Sequence, residues 1–225
     1  MGSQLVSMLH RPLSSVRLES YRPPGGTDQE MILNYFWNMK LSEALYPALG
    51  SLEIALRNCI HASATEKYGT EFWFDGPGVL EARQRGQLAT ARSQLTKSET
   101  AGRLVAQLTF GFWVGLLNSP YEGPMWHVNR ASMLKSAFPN VPTSQRSRGA
   151  IFHRIYPIQQ LRNRIFHHEP IWHRPTLETE YDHIIEALGW MSQELASAIN
   201  RISSFGEVHS HGKDLLRAGI PELNR

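Results

Sequence analysis

The residues best suited to chemistry are clustered in one polar stretch near residue 165. From Arg162 to Glu169 the sequence reads Arg-Asn-Arg-Ile-Phe-His-His-Glu, which places two arginines, two histidines and a glutamate within eight residues. An imidazole can accept and donate a proton near neutral pH, and a guanidinium can bind a phosphate and stabilise charge in a transition state. Metal-independent cleavage of RNA needs both abilities, because the 2′-hydroxyl must lose a proton and the leaving 5′-oxygen must gain one.

Helical geometry predicts which of these side chains share a face. At about 100° per residue, with Ile165 toward the core, Asn163 and His167 both point to the opposite side, four residues apart. Arg162 then lies about 60° from the core direction, on the shoulder of the helix. One helix supplies one such histidine, so a symmetric dimer could bring two histidines and two arginines to a shared cleft.

Four blocks of the sequence resemble a known family. Arg162-Asn163 with His167 is similar to the R-x(4–6)-H signature of HEPN-domain ribonucleases, in which a polar residue usually follows the arginine. The wider context resembles the Abi-like (abortive infection, phage-resistance) branch of that superfamily. The blocks are Leu13-Ser-Ser-Val-Arg-Leu-Glu-Ser-Tyr21, Leu52-Glu-Ile-Ala-Leu-Arg-Asn58 leading to Tyr68-Gly69 and Phe72-Trp73, Leu108-Thr-Phe-Gly-Phe-Trp-Val-Gly-Leu-Leu117, and Leu161-Arg-Asn-Arg-Ile-Phe-His-His-Glu-Pro-Ile-Trp172.

The resemblance implies an all-α, HEPN-like helical bundle with additional peripheral helices, and a homodimer with a composite active site. It implies a metal-independent endoribonuclease that acts in phage defence or as a toxin, without a cofactor, and that a protein or RNA antitoxin can hold in check. It carries over Arg162 and His167 as catalytic and Asn163 as the polar residue that orients them. Phe166 stands where the family often has a small residue. Some members of the superfamily are thought to have no nuclease role, so the alternative is a non-catalytic RNA-binding or regulatory module with the same basic cleft.

The neighbouring polar residues have less specific interpretations. His168 is either a hydrogen-bond partner of the site or a packed side chain, and Arg164 is either a phosphate contact or a solvated charge. Glu169 fits a structural ion pair better than a general base. Arg57-Asn58 with His61 repeats the Arg-Asn-His pattern at a shorter spacing. A structural ion pair of Arg57, with Glu53 or Glu169, is favoured over a place in the cleft, because Glu53 lies four residues before Arg57. No metal site is expected, because His167 and His168 point about 100° apart on a helix.

Composition excludes several other classes of protein. The chain has 225 residues, a formal charge of only +3, and 18 arginines among its 23 basic residues. Arginine is preferred where a planar group must grip phosphate or stack on a base, so the excess of arginine indicates more than the net charge does. The single cysteine, Cys59, excludes a disulfide framework, and no apolar run approaches the ~20 residues of a membrane span. A cytoplasmic protein without a membrane segment is expected.

The spacing of apolar residues predicts helices almost throughout. Residues 1–26 are predicted to be an N-terminal lead ending in a Pro/Gly hinge, 27–204 a single HEPN-like helical domain, and 205–225 a loosely held tail. Asp28 is the expected N-cap of the first domain helix, Pro47 its expected end, and Gly69 the expected C′ residue of the next helix. Further helices are predicted at about 79–96, 100–118, 129–138, 148–167 and 176–203.

Overall fold

The computed structural model describes residues 2–126 and 133–220, with side chains from residue 7 onward. Within these ranges the chain forms helices and turns and no strand, so the prediction of an all-α fold is confirmed. None of the described helices combines the length and apolar composition needed to cross a bilayer. Residues 129–132 of one predicted helix, and 221–225 of the predicted tail, lie outside the described residues.

Eleven α-helices are described. They are α1 (Gly2–Leu13), α2 (Ser15–Glu19), α3 (Asp28–Tyr68), α4 (Ala82–Ser93), α5 (Ala101–Gln107), α6 (Phe110–Gly115), α7 (Met133–Ala137), α8 (Arg148–Phe166), α9 (Leu177–Met191), α10 (Gln193–Ile202) and α11 (Phe205–Gly219). Short 3₁₀ turns occur at Trp73–Asp75, Ser119–Tyr121 and Thr143–Gln145, and a π-helical turn at Glu122–Trp126.

The chain divides into two compact units that share helices. The first unit combines Met1–Ala48, Leu161–Asp182 and Arg201–Arg225, and the second combines Leu49–Gln160 and His183–Asn200. The helices α3, α8, α9 and α10 each contribute residues to both units. These boundaries differ from the predicted ones, since the described parts of the predicted lead and tail both belong to the first unit.

The N-terminus of α3 is closed by a reciprocal pair of hydrogen bonds. The Thr27 hydroxyl accepts the Glu30 N–H at 3.2 Å, and the Glu30 carboxylate accepts the Thr27 N–H at 2.7 Å. This is a capping box, which satisfies two donors that a helix start leaves without partners. Thr27 is therefore the N-cap, and the prediction of Asp28 was wrong by one residue.

Pro47 lies inside α3 rather than at its end. A proline within a helix costs about 3 kcal/mol, because it removes a hydrogen bond and crowds the preceding turn. Buried side chains continue on both sides of Pro47. Leu45 precedes it and Ala48 follows it in the first unit, and Leu49 and Leu52 follow in the second unit. Their burial, at about 1.5–3 kcal/mol for each leucine, offsets the cost. As predicted, Gly69 ends the helix, with a φ of 71°.

The core of the first unit joins segments that are far apart in sequence. Leu18 and Tyr21 from the predicted lead are buried with Met31, Ile32 and Leu33 of α3. Partly buried apolar residues complete the cluster: Leu9, Leu13, Tyr35, Phe36, Trp172, Leu216 and Ile220.

Residues 205–219, expected to be loosely held, form α11 and pack on Trp37. The indole N–H of Trp37 donates to the Val208 carbonyl at 3.0 Å. A Cβ at Gly212 would lie 2.8 Å from the Trp37 ring, so glycine at this position permits the close approach. The Lys213 ammonium lies 4.5 Å from the centroid of the same ring, a cation–π distance.

The helix that carries the candidate site has the apolar stripe that its sequence predicts. The stripe is almost fully buried and runs the length of α8 through Pro157: Ile151, Ile155, Ile158, Leu161 and Ile165. Two other predicted helices are interrupted. The predicted 100–118 helix breaks at Leu108, whose ψ is 129°, and the predicted 176–203 helix breaks at Ser192, whose hydroxyl accepts the Leu195 N–H and caps α10.

Candidate functional site

The polar stretch forms the C-terminal end of α8 and the turn that follows it. The His167 N–H donates to the Asn163 carbonyl at 2.9 Å, the last bond of the helix. The His168 N–H then donates to the Ile165 carbonyl at 3.0 Å, and the Glu169 N–H to the Arg164 carbonyl at 2.8 Å. This pair of bonds is a Schellman motif, which normally has glycine at the position of His168. His168 adopts the left-handed conformation that the motif requires, with a φ of 56°.

The exposure of the side chains agrees with the predicted faces. Ile165 is buried, whereas His167 is exposed and Asn163, one turn earlier, is half-buried. Asn163 and His167 are linked through the backbone bond described above. An exposed imidazole therefore lies at the end of the helix, one turn after Asn163.

Arg162 stacks on an aromatic side chain one turn along the helix. Its guanidinium carbon lies 4.0 Å from the centroid of the Phe166 ring, well within cation–π range. Phe166 in turn stacks on Tyr46, with ring centroids 6.0 Å apart and planes at 24°. Phe166 is 42% exposed and Tyr46 60% exposed. The bulky residue at position 166 thus supports the guanidinium and also presents aromatic surface to solvent.

Arg164 and Glu169 pair with each other across the turn. The closest nitrogen–oxygen distance is 3.2 Å, and Arg164 Nη2 also donates to the Pro170 carbonyl at 3.2 Å. The sequence indicated an ion pair for Glu169, and the structure identifies Arg164 as its partner. Both charges are half-exposed or exposed and hold the turn rather than project from it.

The turn is fixed by residues that the sequence did not single out as part of the site. The carbonyl of His168 accepts a hydrogen bond from Arg17 Nη2 at 2.7 Å and a longer one from the Tyr21 hydroxyl at 3.5 Å. Burial raises the pKa of Tyr21, which keeps the hydroxyl protonated as a donor. Arg17 and Tyr21 both lie in the first block of the family resemblance, which was the available signal for them.

Asn38 of α3 anchors the next two residues of the chain. Its Oδ1 accepts the N–H of Ile171 at 2.6 Å and the N–H of Trp172 at 3.1 Å, and the residue is only 5% exposed. A buried carboxamide on an otherwise apolar helix face indicates a polar contact of this kind, although the sequence does not identify the partner.

The second Arg-Asn-His group belongs to the second unit. Arg57 is half-buried and donates from Nε to the Asn58 side-chain oxygen at 3.3 Å, while Asn58 is exposed. His61 Nδ1 accepts the Trp73 indole N–H at 3.0 Å, and burial lowers the pKa of His61. His61 is therefore a neutral packing residue that satisfies a buried indole. Trp73, Trp113 and Trp126 are almost fully buried, so these side chains pack in the core and are not available to stack on a base.

Among the described residues, no three His, Cys, Asp or Glu side chains are grouped closely enough to hold a metal ion. The observations define an all-α protein with an Arg-Asn-His cluster at the C-terminal end of one helix. No family model, curated protein or solved structure matches the chain, so the cluster is interpreted from its own geometry.

Proposed function

We propose that the chain is a metal-independent endoribonuclease of the HEPN type, with Arg162, Asn163 and His167 at its active site. The observation that carries the proposal is the arrangement at the end of α8. The exposed imidazole of His167 lies one turn from Asn163. Arg162, the residue before Asn163, has its guanidinium stacked on the Phe166 ring. This arrangement offers a proton acceptor, an orienting carboxamide and a phosphate-binding cation within six residues.

In this mechanism His167 removes the proton of the RNA 2′-hydroxyl, and the oxygen attacks the adjacent phosphorus. The P–O5′ bond breaks, giving a 2′,3′-cyclic phosphate and a 5′-hydroxyl end. Arg162 stabilises the charge that develops on the phosphoryl oxygens. The 5′-oxygen takes its proton from a second imidazole, which in the proposed homodimer is the His167 of the other copy.

The exposed rings of Phe166 and Tyr46 favour a single-stranded RNA substrate. Nucleobases stack on exposed aromatic side chains irrespective of sequence, at about 1–3 kcal/mol per base. A ring next to the phosphate-binding arginine would position the nucleotide beside the scissile phosphate. Because Arg164 and Glu169 are engaged with each other, their proposed role is to hold the turn that carries His167 and His168.

The proposed setting is the cytoplasm, in phage defence or toxin action, with a protein or RNA antitoxin as regulator. This part of the proposal rests on the four blocks of family resemblance. Arg57 and Asn58 are proposed to have a supporting role, because the Arg57 Nε donates to the Asn58 side-chain oxygen.

The test is RNA cleavage by the purified full chain in excess EDTA. We expect 2′,3′-cyclic phosphate ends, detected by mass spectrometry, and a loss of at least about 100-fold in rate for His167→Ala and for Arg162→Ala. The matched controls are His211→Ala and Arg201→Ala, two exposed residues outside the site. Cleavage that persists in both site variants would contradict the proposal. Salt-sensitive RNA binding without any cleavage would identify the alternative, a non-catalytic RNA-binding module.

A further inference from the structure

A cavity of about 730 Å³ lies within the first unit, beside the turn that follows α8. Its polar lining includes residues from three parts of the chain: Arg11, Arg17, Tyr21, Tyr35, Asn38 and His168. Cavities of about 300–1,000 Å³ are typical of small-molecule sites. His168 directly follows the proposed base His167, so an occupant of this cavity would lie next to the proposed active site.

The charge of the lining favours an anion. Two guanidinium groups and an imidazole line the cavity, and no carboxylate does. Arg17 is held in place by its bond to the His168 carbonyl. Arg11 is exposed and has no acidic partner among the described residues. Two arginines without carboxylates suit a phosphate group, which accepts several hydrogen bonds from guanidinium.

Asn38 provides a hydrogen-bond donor at the cavity. Its Oδ1 is occupied by the N–H groups of Ile171 and Trp172. Its Nδ2 makes no hydrogen bond within the part of the chain that the structure describes and is not among the fully buried polar atoms that lack a partner, so it is accessible at the cavity that Asn38 lines. A ligand oxygen or ring nitrogen in the cavity would accept a hydrogen bond from this N–H group.

The remaining lining suits a flat ring. Tyr35 is half-buried and meets the buried Tyr21 edge to face, with centroids 5.1 Å apart and planes at 88°, so the Tyr35 ring supplies the aromatic surface of the lining. Met39 and Ile165 add apolar surface. A ligand that combines a phosphate with a planar, hydrogen-bonding ring matches both halves of the lining.

We propose that this cavity binds a nucleoside monophosphate unit, with its phosphate on Arg11 and Arg17 and its base against Tyr35 and Asn38. The unit comes either from a free nucleotide or from one residue of a single-stranded RNA. The proposal goes beyond the nuclease function, because binding here requires no cleavage.

The test is calorimetric titration of the full chain with adenosine 5′-monophosphate, adenosine, inorganic phosphate and a five-nucleotide RNA. We expect the monophosphate to bind more tightly than adenosine or phosphate alone. Arg11→Gln should weaken it about tenfold, the loss of one charge-assisted hydrogen bond, whereas Arg201→Gln in the same unit should not. Met39→Trp, which places a large ring at a half-exposed lining position, should weaken it as well.

The results distinguish a free nucleotide from an RNA residue as the ligand, and they distinguish this proposal from the nuclease proposal. Tighter binding of the RNA, with the same dependence on Arg11, identifies an RNA subsite, and tighter binding of the monophosphate identifies a free nucleotide. No binding, equal binding of phosphate and monophosphate, or binding unaffected by Arg11→Gln would overturn the inference. His167→Ala should retain monophosphate binding, so failure of the nuclease proposal and failure of this one are distinguishable.

Discussion

The Arg162 guanidinium lies 4.0 Å from the centroid of the Phe166 ring, so the proposed phosphate-binding cation rests on an aromatic side chain of its own helix. The family resemblance predicts a small residue at position 166, whereas here the Phe166 ring supports the Arg162 guanidinium. The same ring contacts Tyr46, which connects the end of α8 to α3 inside the first unit.

Replacement of Phe166 should affect cleavage more than folding. In Phe166→Leu the cation–π contact, worth about 0.5–1 kcal/mol at an exposed site, is lost, and the arginine gains freedom. We expect kcat/KM for RNA to fall several-fold with a change in unfolding free energy below about 1 kcal/mol. Phe72→Leu, an exposed phenylalanine of the second unit, is the matched control. Unchanged RNA cleavage in Phe166→Leu would remove the support role.

Arg17 should stabilise the turn after α8. Arg17→Gln removes the 2.7 Å bond to the His168 carbonyl, and because the arginine is exposed we expect a loss of about 1 kcal/mol in urea unfolding. Arg11→Gln, which removes the same charge without a carbonyl contact, should leave the midpoint unchanged. Equal midpoints for the two variants would show that the bond adds no stability.

His168 occupies a conformation that glycine adopts more easily. The left-handed conformation costs a side-chain-bearing residue about 1–2 kcal/mol, partly offset by the greater freedom of glycine in the unfolded chain. His168→Gly should therefore raise the unfolding free energy by up to about 1 kcal/mol. Because His168 lines the cavity proposed to bind a nucleoside monophosphate, His168→Gly should also bind adenosine 5′-monophosphate more weakly than the wild type. Destabilisation by glycine would mean that the side chain contributes to folding.

Asn38 should be among the more sensitive polar positions of the first unit. Asn38→Ala leaves the N–H groups of Ile171 and Trp172 without their acceptor, and the expected loss is about 2–4 kcal/mol, measured by chemical unfolding. Ser42→Ala, on the next turn of α3, removes only a bond to the Asn38 carbonyl and should cost less than about 1 kcal/mol. A smaller loss in Asn38→Ala than in Ser42→Ala would contradict the anchoring role.

His61 should make stability fall in mild acid. Burial lowers its pKa in the folded state from the ordinary value of 6.5, so the folded protein binds this proton less readily than the unfolded chain. Its contribution is present in full above pH 6.5 and is lost as the pH falls toward the folded-state pKa. His61→Gln should flatten the slope of unfolding free energy against pH in this range, while His211→Gln should not. Identical slopes for wild type and His61→Gln would show that His61 does not titrate on unfolding.

The sequence correctly predicts the features that depend on the local spacing of apolar residues. The isoleucine and leucine stripe of α8 follows from helical spacing, and so does the outward position of His167. The contacts that fix the site depend on distant segments: Arg17 and His168 are 151 residues apart, and such a pair leaves no periodic trace. Pro47 shows the opposite error, because a local rule was overridden by burial on both sides. At the start of α3, Thr27 and Asp28 are both favoured N-cap residues, and the position of Glu30 three residues after Thr27 is the signal that distinguishes them.

The long-range contacts of the first unit affect the order in which its parts can fold during synthesis. Its core needs α3, the turn after α8 and α11, and the Trp37–Val208 contact closes a separation of 171 residues. Closure of so long a loop is entropically costly and slow, and it cannot begin until α11 has left the ribosome. The packing of α11 on Trp37 is therefore completed last. For the proposed nuclease activity, this order predicts that the core of the first unit, which includes Trp172 soon after His167, is incomplete while the chain is still being synthesised.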